Sequence, residues 1–305
     1  MLDPTDALSA SVERGTGVSP VLARTTMDSP ARARRQRHPT HMTGLLVSVR
    51  NAEEARIACR AGAAVVDVKE PARGGLGAAD RGVWQRVVDA VGACTAVSVA
   101  AGELIEPAAV EQLAGTRGIR FAKLGLAGCA ARSDWPRSWA QRLDRFPSGV
   151  RRVAVVYADW PRCGAPPPGE VVRQAARLQC SAVLFDTYDK DGSTLVDHLT
   201  LGELRRLAGD IRAAGMRLAL AGSLTASHIP PLLRLAPDLI AVRGAACRGG
   251  RIGRIDSVRV RRLVAIVQTG ASFSDPLHWL AATSGFGPPR EASPATRPFR
   301  LTASE

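Results

Sequence analysis

From residue 45 onward, short apolar runs alternate with longer stretches in which apolar residues recur at helical spacing. The runs are Leu45–Val49, Ala63–Val68, Thr95–Ala100, Gly118–Leu124, Arg152–Tyr157, Ala182–Phe185, Arg217–Ala221 and Leu239–Val242. They are rich in Val, Leu and Ala and bounded by turn residues. Near-continuous apolar runs of this length are expected of parallel strands buried on both faces. The intervening stretches predict helices at 52–61, 83–91, 107–114, 135–144, 170–178, 201–214, 227–235 and 259–268. Asn51 is a suitable N-cap for the first of these, and Pro107 suits the opening turn of the third.

Eight strand–helix pairs over roughly 230 residues match the size of a (β/α)8 TIM barrel, and this α/β fold is expected as a single domain over 42–269. A doubly wound open sheet is the alternative. Its dinucleotide fingerprint needs GxGxxG after the first strand, whereas Gly75-Leu76-Gly77 follows the second and lacks the third glycine. Residues 1–41, rich in Ser, Thr, Pro and Arg without sustained periodicity, are expected to be disordered, and 270–305 to form a flexible tail. Met42 opens the fresh pattern Thr43-Gly-Leu-Leu-Val and is a candidate start of translation.

Charge narrows the choice of partner. The formal net charge of +13 favours anions, either nucleic acid or phosphorylated metabolites. The dense basic runs, Arg32–Arg37 and Arg259–Arg262, lack interleaved aromatic residues for base stacking, so no nucleic-acid partner is expected. No apolar stretch of about 18 residues suggests a membrane span. The six cysteines show no metal-ligand spacing and read as reduced thiols of a cytoplasmic protein; no metal site is expected. Homo-oligomer formation is left open.

The chemistry lies in the lysines. Of 41 lysines and arginines, only Lys69, Lys123 and Lys190 are lysine. Arginine serves elsewhere, so these three are candidates for work that requires an amine able to lose its proton or form an imine. Each sits at or just past the end of a predicted strand, which in a barrel is the catalytic mouth. Asp67 and Lys69 are two apart and share a strand face; Asp186 ends another strand, four residues before Lys190. An ion pair between Asp67 and Lys69 is the structural alternative to a catalytic lysine with a carboxylate partner. Cations gathered in one mouth should lower the pKa of at least one lysine, and the carboxylates would relay protons. Gly222 and Ser223 after the seventh strand, and Gly244 and Ala245 after the eighth, occupy the loops that form phosphate sites in this fold. Tyr157, Asp159 and the loop 74–77 are secondary candidates for substrate contact.

Taken together, Leu45-Leu-Val-Ser-Val, Asp67-Val-Lys-Glu-Pro with Gly75-Leu-Gly-Ala, Lys123-Leu-Gly-Leu and Asp186-Thr-Tyr-Asp-Lys resemble the (5-formylfuran-3-yl)methyl phosphate synthases, over about residues 42–268. The resemblance implies a (β/α)8 barrel of methanofuran biosynthesis that joins two molecules of glyceraldehyde 3-phosphate, with loss of one phosphate and water. It implies Lys69 as the Schiff-base lysine, Lys123 as proton acceptor, and Asp67, Asp186 and Lys190 as supporting polar groups. No cofactor is required for these steps. Another Schiff-base aldolase acting on sugar phosphates shares the lysine and the phosphate site; a nucleic-acid-binding protein is the non-enzymatic alternative.

Overall fold

A computed structural model describes residues 42–106 and 109–269. The expected extensions 1–41 and 270–305 lie outside the described residues, as does Pro107. The strands are β1 (Gly44–Val49), β2 (Val65–Val68), β3 (Ala96–Glu103), β4 (Ile119–Gly125), β5 (Arg151–Tyr157), β6 (Ala182–Asp186), β7 (Arg217–Leu220) and β8 (Leu239–Val242). They pair in sequence order as a closed parallel barrel, sealed where Gly44–Val47 of β1 register with Leu239–Val242 of β8.

Helices α1 (Ala52–Arg60), α2 (Arg81–Val91), α3 (Val110–Leu113), α4 (Trp135–Leu143) and α5 (Pro168–Arg177) follow the first five strands. Both α6 (Leu195–His198) and α7 (Leu201–Ala213) follow β6, while α8 (Ile229–Leu233) and α9 (Ser257–Thr269) follow β7 and β8. Asn51 caps α1 as expected, accepting from the Glu54 N–H at 2.9 Å. Among the described residues, no helix is long and apolar enough to cross a membrane.

Alternation along each strand divides the core into two layers. One lies between strands and helices and contains Val47, Val66, Val99 and Leu124. The other fills the barrel with Leu46, Val65, Ala100, Phe121, Val153, Val155 and Leu184. Few aromatics are needed, because small Ala and Val side chains suffice at the crowded axis. Following the inward rows to the carboxyl ends, the chemistry changes from apolar to polar. Val65 gives way to Asp67, Phe121 to Lys123, Val155 to Tyr157 and Leu184 to Asp186.

Three features depart from the pattern read in the sequence. The third strand runs on to Glu103, through a register shift between Ala100 and Glu103. An extra helical turn, α6, precedes α7 and is closed by a capping box of Thr194 and Asp197. After β8, the chain forms a short antiparallel hairpin of β9 (Cys247–Arg248) and β10 (Arg254–Ile255) before reaching α9. Elements this short contain too few residues to display a period.

Candidate active site

Lys69 is the first residue beyond β2, tied to β1 by its N–H donating to the Val49 carbonyl at 3.1 Å. Its ammonium group donates to the Gly75 carbonyl at 3.3 Å and lies 3.7 Å from Asp186 Oδ2. Asp186 serves a second lysine: Lys190 Nζ donates to Oδ1 at 2.9 Å and to Thr187 Oγ1 at 3.0 Å. The Thr187 N–H also donates to Asp186, at 2.8 Å. This carboxylate is thus held between two amines, and the loop after β6 folds back over the mouth as the sequence led us to expect.

The expected pairing of Asp67 with Lys69 is replaced by a different one. Asp67 is bonded to Lys123 across the barrel, and Lys123 also donates to Ser98 at 3.1 Å. Asp67 is still within the strand and points to the barrel axis, where the inward row of β4 places Lys123. Lys69 has left the strand and reaches towards Gly75 and Asp186 instead.

These contacts set the protonation states. Burial pushes the Asp186 carboxyl up, but Lys190 and Lys69 outweigh it and hold the group at about 2. Asp67 is likewise pushed up by burial and brought below its ordinary value by Lys123 and Lys69. The Lys123 amine is lowered by burial, against the pull of Asp67. Burial also lowers Lys190, against Asp186. Both carboxylates are therefore ionised near neutral pH, while two of the amines are more readily deprotonated than a surface lysine.

Lys69, Asp67, Asp186 and Lys190 line one cavity of about 230 Å³ together with Gly222, Ser223, Gly244 and Ala245. The sequence-predicted amines and loops therefore converge, apart from Lys123, which lies buried against Asp67. Gly222 (φ 95°) and Ser223 (φ 50°) both occupy the left-handed region, so the loop after β7 is a sharply constrained turn. A Cβ at Gly222 would stand 3.1 Å from Thr187 Cγ2 and 3.3 Å from the Leu195 nitrogen. Its glycine is favoured by the backbone conformation.

The secondary candidates Tyr157 and Asp159 are buried and do not line this cavity. Asp159 is buried and accepts the N–H groups of Tyr188 and Asp189, each at 2.8 Å, which shapes the loop carrying Lys190. Tyr157 donates its hydroxyl to Glu103, a buried carboxyl at the end of β3 that also accepts the Ala127 N–H at 3.0 Å. Burial raises the pKa of Glu103. Sequence reasoning missed Glu103 because it lies past the apolar run, on the irregular end of β3. It also missed Arg251, a cavity-lining side chain on the turn between β9 and β10, one arginine among many in the sequence.

The family model described as 4-HFC-P synthase matches residues 45–264, the span that forms the barrel. The chain belongs to this family. Relatives named (5-formylfuran-3-yl)methyl phosphate synthase include the Methanothermobacter thermautotrophicus protein. It is 35% identical over 240 residues, covering 74% of this chain and 99% of that protein. The Methanopyrus kandleri protein is 36% identical over 228 residues, covering 72% and 96% respectively. Phosphoribosyl anthranilate isomerase from Thermus thermophilus aligns with a TM-score of 0.51 at 16% identity, covering 74% of this chain and 99% of the isomerase. That likeness concerns the fold alone. As a member of the synthase family the protein is an enzyme, and the resemblance carried by the Asp67–Lys69, Lys123 and Asp186–Lys190 motifs is borne out.

Proposed function

We propose that the enzyme condenses two molecules of glyceraldehyde 3-phosphate, through a Schiff base on Lys69, to (5-formylfuran-3-yl)methyl phosphate, a methanofuran precursor. Atom balance requires the release of one phosphate and two waters. The observation that carries this reading is that Lys69 lines the same cavity as the pair of loops after β7 and β8. An amine that can form an imine thus shares a cavity with a candidate phosphate cradle.

The reaction needs acidic C–H bonds next to a carbonyl and several proton transfers. An iminium on Lys69 acidifies the adjacent carbon. Loss of that proton gives an enamine, which expels a β-phosphate from one triose or attacks the carbonyl of the other. Asp186, shared between Lys69 and Lys190, is placed to hold the iminium charge and to exchange protons with Lys190. Lys123, buried against Asp67, takes protons through that carboxylate. Burial lowers its pKa, which favours the neutral form that can accept a proton.

The test is incubation with glyceraldehyde 3-phosphate alone, following inorganic phosphate and furan absorbance. Both should appear, with one phosphate released per furan. A condensation product without furan absorbance would instead identify a Schiff-base aldolase.

A further inference from the structure

We propose that Arg251 recognises the phosphate dianion of the substrate, and that a buried ion pair of Arg243 with Glu54 holds Arg251 in place. The proposal rests on the phosphotriose reading above and adds to it the residue that confers the preference for phosphate.

Charge points to it first. The lysines lining the cavity are committed: Lys69 to the substrate carbonyl, and Lys190 to Asp186 at 2.9 Å. Arg243 also lines the cavity, but its guanidinium is bonded to Glu54. Arg251 is the remaining cation among the lining residues. Arg251 and Lys190 line the same cavity, and the Arg251 charge adds to burial and to Lys69 in lowering the Lys190 amine, against Asp186. An anion between them would relieve that repulsion.

Geometry places the Arg251 backbone beside the loop after β8 and its guanidinium at the rim of the same cavity, against the loop after β2. The Arg251 backbone passes the phosphate loop after β8, its nitrogen 3.8 Å from where a Gly244 Cβ would stand. Its Nη2 donates to the Gly74 carbonyl at 2.8 Å, one residue before the carbonyl that receives Lys69. The side chain therefore spans from the phosphate end of the cavity towards the carbonyl end. A guanidinium fork carries five N–H donors, suited to paired contacts with phosphate oxygens.

Residues outside the hairpin fix Arg251 in place. Arg243 Nε donates to the Arg251 carbonyl at 2.7 Å, and Nη2 donates to the Gly253 carbonyl at 3.1 Å. Its Nη1 donates to Glu54 and to the Ser48 carbonyl, each at 2.9 Å. A buried charge pair is costly to assemble unless its hydrogen bonds are well satisfied. Here two of those bonds clasp the turn bearing Arg251.

The experiment titrates inorganic phosphate calorimetrically into the wild-type protein and into Arg251→Gln, Arg251→Lys and Glu54→Gln, with steady-state kinetics on each. Charge-assisted hydrogen bonds of this kind correspond to roughly 10- to 100-fold in affinity. Arg251→Gln should weaken phosphate by about that factor and raise KM for the triose phosphate more than it lowers kcat. Borohydride trapping of unphosphorylated glyceraldehyde on Lys69 should be unchanged. Arg251→Lys should recover part of the loss, keeping charge without the fork. Glu54→Gln should raise the phosphate Kd several-fold with kcat retained, whereas a purely structural role would lower Tm and leave Kd unmoved. Equal phosphate affinity in folded Arg251→Gln or Arg251→Lys and the wild type would overturn the proposal, as would an absence of phosphate binding to the wild type at about 10 mM. Failure to form furan, with Arg251-dependent phosphate binding intact, would overturn the reaction assignment and leave this one standing.

Discussion

Lys69, Lys123 and Lys190 differ in what surrounds them, and the proposed roles follow those differences. Lys69 lines the cavity, and Lys69→Arg keeps the positive charge while removing the amine that could form an imine. Lys123→Arg should remain competent for imine trapping but turn over about 10²- to 10⁴-fold more slowly, the usual cost of a lost acid–base group; single-turnover kinetics with borohydride quench would check it. Asp186 is more acidic in the folded protein, at about 2, than an unfolded aspartate at about 3.9. Its contribution to stability is complete above about pH 4 and is lost as pH falls towards 2. Asp186→Asn should therefore flatten the fall of Tm between about pH 4 and pH 2, and it should lower Tm at pH 7 because two amines lose their shared counter-charge. A variant with an unaltered pH profile would show that Asp186 is not the ionised partner of Lys69 and Lys190. The lysine census made these residues legible in the sequence. Their pairing was not legible, because which carboxylate meets which amine depends on the tilt and register of strands that are distant in the chain.

At the scale of elements, the eight strands and most helices could be read from apolar runs, since a strand buried on both faces leaves a compact signature. The β9–β10 hairpin, the α6 turn and the end of β3 could not, and the first of these brings Arg251 to the cavity. The two loops of the candidate phosphate site respond differently to substitution. Gly222→Ala should lower Tm as well as raise KM, because a positive φ in a non-glycine residue costs about 1–3 kcal/mol and its Cβ would crowd Thr187 and Leu195. Ala245 lines the cavity and lies in a half-buried turn. Ala245→Asp should raise KM for the triose phosphate at least 10-fold with Tm nearly constant, as a carboxylate repels the phosphate. Thermal melts alongside KM measurements would separate the two, and an unchanged KM in Ala245→Asp would move the phosphate elsewhere.

For the molecule as a whole, the barrel closes within Gly44–Val242 and α9 packs back against β1, completing the ring by Thr269. We propose that 42–269 is the catalytic unit. Protein spanning only those residues should keep kcat and Tm, and a loss of more than a few-fold in rate would show that the extensions contribute. Arginine elsewhere works as a surface cation, with Arg142 and Arg145 meeting Glu111 and Arg152 meeting Asp144. The lysines are thus left concentrated at the mouth. The whole reading turns on one covalent bond. Borohydride added to the enzyme during turnover of glyceraldehyde 3-phosphate should give a single mass increment, mapping by peptide analysis to Lys69 and absent from Lys69→Arg, which should also form no furan. Full activity in Lys69→Arg, or trapping on Lys123 or Lys190 in its place, would contradict the assignment of Lys69 as the Schiff-base residue.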